Sequence, residues 1–77
     1  MSNDRLIEML KISVSAAEQA MTTAMDRDTM LFTSGQYSSV AFLLLRTQGV
    51  EPETANNVIQ SRIQLLTANK FNQSIKN

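Results

Sequence analysis

Two short groups of polar residues have types and spacings that could do chemistry. Asp26 and Asp28 place two carboxylates two positions apart, which could begin a cation site. In a helix, however, side chains two positions apart point away from each other, and the remaining ligands of a calcium loop do not follow. We therefore interpret both as solvated or capping residues and predict no metal site.

The second group, Tyr37, Ser38 and Ser39, offers hydroxyl groups that could act as nucleophiles. Such a hydroxyl needs a neighbouring base, but the chain has no His, and no Lys lies near these residues. The absence of Cys also removes thiol chemistry and soft metal ligation. The sequence therefore predicts a protein that is not an enzyme, with no catalytic residue and no cofactor.

The elements that must position these residues are predicted to be helices. The first helix should run from about residue 4 to 26, because apolar residues recur every three or four positions along it: Leu6, Leu10, Val14, Ala17, Met21 and Ala24. Its interior is rich in Ala and Ser, which would let a neighbouring helix approach closely. Whether the chain stays helical beyond Asp26 or begins a capped second helix is left open.

Glycines mark the next predicted boundaries. A turn at residues 34–36 is expected because Gly35 tolerates positive φ, and a helix over 36–48 should follow. Residues 40–45 are all apolar, so this helix should be covered all round and Leu44 should be buried. Gly49 should end the helix, and Pro52 should begin a third over 52–71, followed by a frayed tail over 72–77.

Aromatic, small and large apolar residues recur at a distinctive spacing around and after Gly35: Phe32, Gly35, Tyr37, Val40, Leu44, Pro52 and Ala55. This spacing resembles the one that joins two helices of a tetratricopeptide repeat. The match covers about one repeat and departs from the family at Arg27, Asp28 and Thr47. The predicted fold is therefore all-α, with three helices arranged as a tetratricopeptide-like hairpin stack or as a small bundle.

The repeat resemblance implies a concave face that receives a helix or extended peptide from a partner. Carried onto this chain, the partner-binding residues would be Met25, Phe32, Ile59, Ile63 and Leu66. The alternative is that these five side chains form an ordinary core. Because of its small size and these repeat-like residues, the chain also resembles the short needle-subunit chaperones of bacterial type III secretion. In that family, the chaperone and a second small helical protein together hold an aggregation-prone needle subunit.

Two other function classes remain as alternatives. One is a small homo-oligomeric regulator or a phage-type inhibitor. The other is a helix-turn-helix DNA-binding protein, because residues 49–55 are similar to the turn and opening of a recognition helix. Glu51 and Glu53 would face the phosphates there, and only Arg62 lies within the next two turns, so nucleic acid is not an expected partner.

Length and charge bound the remaining possibilities. The 77 residues carry seven basic and seven acidic side chains, so there is no basic surplus to attract nucleic acid. The longest apolar run has six residues against the roughly 20 needed to span a membrane, and no leader pattern opens the chain. A cytoplasmic single domain is expected. Its thin core favours association with another small helical protein or with a second copy of itself.

Overall fold

A computed structural model shows three α-helices, which confirms the predicted all-α fold. The structure describes the backbone of residues 2–76 and the side chains of residues 4–68. The helices are α1 (Ser2–Thr23), α2 (Arg27–Thr47) and α3 (Pro52–Lys76). The predicted end of the third helix near residue 71 was therefore too early. The predicted frayed tail over 72–77 is helical through Lys76, and residue 77 lies outside the described residues.

The connection between α1 and α2 answers the question left open at Asp26. α1 ends at Thr23, and Asp26 is the N-cap of α2, with extended backbone at φ −133°. The Thr29 backbone N–H donates to Asp26 Oδ1 at 2.8 Å, and the Thr29 hydroxyl donates to Oδ2 at 3.0 Å. These two hydrogen bonds hold the pKa of the Asp26 carboxyl below its usual value of 3.8. Asp26 therefore has the capping role that its side-chain chemistry predicted.

α2 continues through Gly35, so the predicted turn at residues 34–36 was wrong. Gly35 lies on the exposed side of an unbroken helix. The opposite side of α2 carries a buried stripe that extends on both sides of Gly35: Met30, Thr33, Tyr37 and Ala41. A glycine within a helix costs only about 1 kcal/mol relative to alanine, whereas burying each large side chain of that stripe gains about 1.5 to 3 kcal/mol. Packing therefore outweighs the local preference of glycine.

Replacing Gly35 by alanine should stabilise the protein by about 0.5 to 1 kcal/mol. A Cβ added at Gly35 would meet nothing within 4 Å, and the backbone there is already helical. The matched control is Gly49→Ala, which should destabilise the fold by about 1 to 2 kcal/mol because Gly49 has a φ of +91°. Urea unfolding followed by circular dichroism measures both changes. Destabilisation by Gly35→Ala would mean that residues 34–36 form the turn after all.

The boundary between α2 and α3 confirms the prediction made from Gly49 and Pro52. Gly49 adopts positive φ, and its N–H donates to the Arg46 carbonyl at 3.0 Å. The Val50 N–H donates to the Leu45 carbonyl at 2.9 Å, which satisfies another carbonyl at the end of α2. Pro52 is the first residue of α3, where a missing N–H costs nothing.

The core lies where the two later helices meet α1. α1 and α2 pack as an antiparallel hairpin, and α3 packs mainly against α2. Met21 is completely buried, and the Ser34 hydroxyl donates to its Sδ at 3.2 Å. The buried cluster is small: Met21, Ala24, Met30, Tyr37, Ala41 and Ile59. The molecule is elongated, with a longest extent of 51 Å and a shortest of 15 Å. Large apolar side chains remain exposed on all three helices.

The apolar run over 40–45 is covered less completely than predicted. Ala41 is buried, but Leu44 is only half-buried, and Leu43 is exposed. The reason is that α1 and α3 together cover only part of the circumference of α2. The prediction of a helix covered all round, with Leu44 in the core, was therefore wrong for the isolated chain.

Candidate protein-binding surfaces

The five predicted partner-binding residues do not form one surface. Ile59 is 2% exposed and belongs to the core, while Ile63 and Leu66 are half-buried and pack against it. Met25 is 91% exposed, and Phe32 is 67% exposed. The repeat-like groove required a chain reversal at Gly35, and the continuous α2 removes that geometry.

An apolar patch lies at the end of the hairpin where α1 and α2 are joined. Met25 belongs to the connection itself, and Leu31 and Phe32 lie within the first two turns of α2. All three side chains are exposed, and we call this patch the hairpin tip. Met25 and Phe32 were among the residues predicted to bind a partner. Leu31, which lies off the buried stripe of α2, was not.

A groove of about 480 Å³ runs between α1 and α2. Mostly small side chains line it: Ser13, Ala16, Ala17 and Ala20 from α1, and Gln36, Ser39 and Val40 from α2. Met9 and Ile12 lie one turn before Ser13 and Ala16 on the same side of α1, and both are exposed. We call this surface the hairpin groove. The exposure of Met9 and Ile12 could have been predicted from the sequence, because both residues lie off the helical stripe formed by Leu10, Val14 and Met21.

A second depression lies on α3 alone. It has a volume of about 400 Å³ and is lined by Asn57, Val58, Ser61, Arg62 and Leu65. Val58 and Leu65 are exposed and two turns apart, so they share one side of the helix. An ion pair borders this depression.

The ion pair ties α1 to α3. Arg62 Nε donates to Glu18 Oε2 at 2.8 Å, and this hydrogen bond raises the pKa of the guanidinium further above its usual value. Burial, followed by the nearby negative charge of Glu18, raises the pKa of the Tyr37 hydroxyl. Because Arg62 is committed to Glu18, the basic residue on which the DNA-binding alternative depended already has a partner within the chain.

Neither a metal site nor a membrane span is found in the described part of the chain. Among those residues, no group of three or more acidic, His or Cys side chains is arranged to hold a metal ion. No described helix is both long and apolar enough to cross a bilayer.

Comparisons with known proteins do not assign the chain to a family. No family model matches the sequence, and neither a curated protein nor a solved structure is significantly similar to it.

Proposed function

We propose that this protein is a non-catalytic protein-binding module, a cytoplasmic chaperone that holds a small helical secretion substrate together with a second small helical protein. The observation that carries this proposal is the amount of exposed apolar surface. Large apolar side chains are exposed on all three helices and on the first connection: Leu6, Met9, Ile12, Met25, Leu31, Phe32, Leu43, Val58 and Leu65. Single exposed apolar residues are ordinary, but groups of them mark surfaces that bind other proteins.

The hairpin tip suits a partner helix that must be held and later released. Met25 has a flexible, polarisable side chain, and Phe32 offers a large flat face, so both can repack around different apolar residues. Leu31 widens the patch without adding a polar group that would demand a fixed hydrogen bond. Contacts of this kind favour tolerant binding over precise recognition.

The proposal rests on the small helical fold and the exposed surface, not on the repeat-like spacing. Phe32, Gly35 and Tyr37 stand within one continuous helix, so their spacing does not mark a repeat turn. Among the five residues that the repeat resemblance implied, Met25 and Phe32 keep a partner-binding role in this proposal. The other three have a structural role: Ile59 lies in the buried cluster, and Ile63 and Leu66 pack against it.

The experiment is isolation of the native complex, followed by mass spectrometry and by quantitative binding to the partner so identified. Phe32→Ser should weaken partner binding by about 30-fold or more while leaving the thermal midpoint nearly unchanged. The matched control is Val58→Ser, an exposed apolar residue on α3, which should bind as the unaltered protein does. Recovery of the chain without any other protein, or equal binding by both variants, would count against the proposal.

A further inference from the structure

The chain exposes more surface than a compact monomer of its mass. Its accessible surface is 5672 Å² for 8.6 kDa. A typical folded monomer of that mass exposes about 4,700 Å², so the excess is about 1,000 Å². A standard protein interface removes about 800 Å² from each partner. The excess over the whole chain is therefore comparable in size with one partner's share of a standard interface.

The hairpin groove is the surface that a protein interface could cover at the lowest cost of desolvation. Over three turns of α1, the side that borders the groove carries Met9, Ile12, Ser13, Ala16 and Ala20, and none of these is charged. The α2 side adds only Gln36, Ser39 and Val40. Covering this surface would strand no charge, whereas the depression on α3 contains Arg62 and the partly exposed ion pair with Glu18.

The groove side of α1 has a size gradient along its length. Large side chains occupy the N-terminal half, where Met9 is 60% and Ile12 is 63% exposed. Small side chains occupy the C-terminal half, at Ala16 and Ala20. A surface with this gradient is complementary to itself when two copies are related by a two-fold axis that makes the two α1 helices antiparallel. Met9 then meets Ala20 of the partner subunit, and Ile12 meets Ala16 of the partner subunit.

The centre of this arrangement also satisfies the electrostatic requirement of a two-fold axis. Near such an axis each residue approaches its own copy, so a charged residue there would be repelled. The axis would pass between Ile12 and Ala16, where the groove side of α1 is uncharged. A parallel arrangement would instead place the large residues against each other and leave the alanines facing an empty space.

We infer that two copies of this chain associate through the hairpin groove, with α1 of each copy lying antiparallel to α1 of the other and seated between its α1 and α2. The occupant of the groove is thus a second copy. The small residues let the helices approach closely, and the four helices of the two hairpins form one bundle. This association is centred on α1, not on the hairpin tip, and does not depend on the proposed function.

Sedimentation equilibrium over a range of concentrations tests the association. The unaltered protein should show twice the 8.6 kDa mass of the chain. Ala16→Arg should weaken association about 100-fold or more, because a charge would be buried at the axis without a partner. The matched control, Ser15→Arg, places the same side chain one position along α1 and off the groove, so the dimer should persist. Circular dichroism checks that both variants keep their helices.

Disulfide cross-linking tests the antiparallel geometry, since the natural sequence has no Cys. Met9→Cys mixed with Ala20→Cys should give a covalent dimer under mild oxidation. Neither variant should do so alone, because like positions would be about 16 Å apart along the axis, beyond disulfide reach. Leu31→Ser should weaken partner binding at the hairpin tip but leave the dimer intact, because Leu31 is exposed and lies off the side of α2 that lines the groove. This variant separates the dimer proposal from the partner-binding one. A monomer at millimolar concentration, a dimer insensitive to Ala16→Arg, or cross-linking of Met9→Cys with itself would overturn the inference.

Discussion

Truncation of Ile59 to alanine should lower the free energy of unfolding by about 2 to 5 kcal/mol. Ile59 is 2% exposed and is the residue by which α3 enters the core cluster. Removing its outer carbons leaves a cavity between α3 and the hairpin, which a core of six residues has few ways to fill. Urea unfolding monitored by circular dichroism, at one fixed protein concentration, measures the loss.

The neighbouring position supplies the control for this experiment. Val58 lies on the same turn of α3 but is half exposed, so Val58→Ala should change stability by less than about 0.5 kcal/mol. The contrast between the two variants depends only on which side of α3 faces the hairpin. If Ile59→Ala were as mild as Val58→Ala, α3 would not pack on α2 as described, and Ile59 would again be a candidate for partner contact.

The boundary between α2 and α3 was predicted correctly from the sequence because it depends on local steric constraints. Gly49 ends α2 in a conformation that other residues rarely adopt, and Pro52 can stand only in the first turn of the next helix. Both constraints act within a few residues, so they can be read without knowledge of the fold. The capping role of Asp26 is of the same kind, because its partner is Thr29.

The errors concern features that distant packing decides. Gly35 permits a turn but does not require one, and the buried side chains on both sides of it keep the helix continuous. Ile59 and Phe32 look equally suitable for a core or for a groove, and only the placement of α3 on α2 separates them. For Met9 and Ile12, the helical period in the sequence already places them away from the buried stripe, so their exposure was predictable.

The largest destabilisation is expected from a charge placed on the buried side of α2. Ala41→Asp puts a carboxylate into the buried cluster that also contains Tyr37 and Ile59, and it should cost at least about 3 kcal/mol at neutral pH. Leu44→Asp should cost less, because Leu44 is half-buried and a carboxylate there can reach water. Thermal unfolding of the two variants side by side measures the difference.

The pH dependence of the stability of the Ala41→Asp variant tests whether burial of the charge causes the destabilisation. Burial would raise the pKa of the new carboxyl in the folded state above its unfolded value of about 3.9. The unfolded chain then loses the proton at a lower pH than the folded one, so the destabilisation grows as pH rises above about 4 and shrinks in acid. Ala41→Asn, of nearly the same size, should lack this slope, and Leu31→Asp, at an exposed position on α2, should change stability little at any pH. An equal cost for Ala41→Asp and Ala41→Asn at every pH would show that the new side chain escapes to solvent and that this side of α2 is not the interior of the fold.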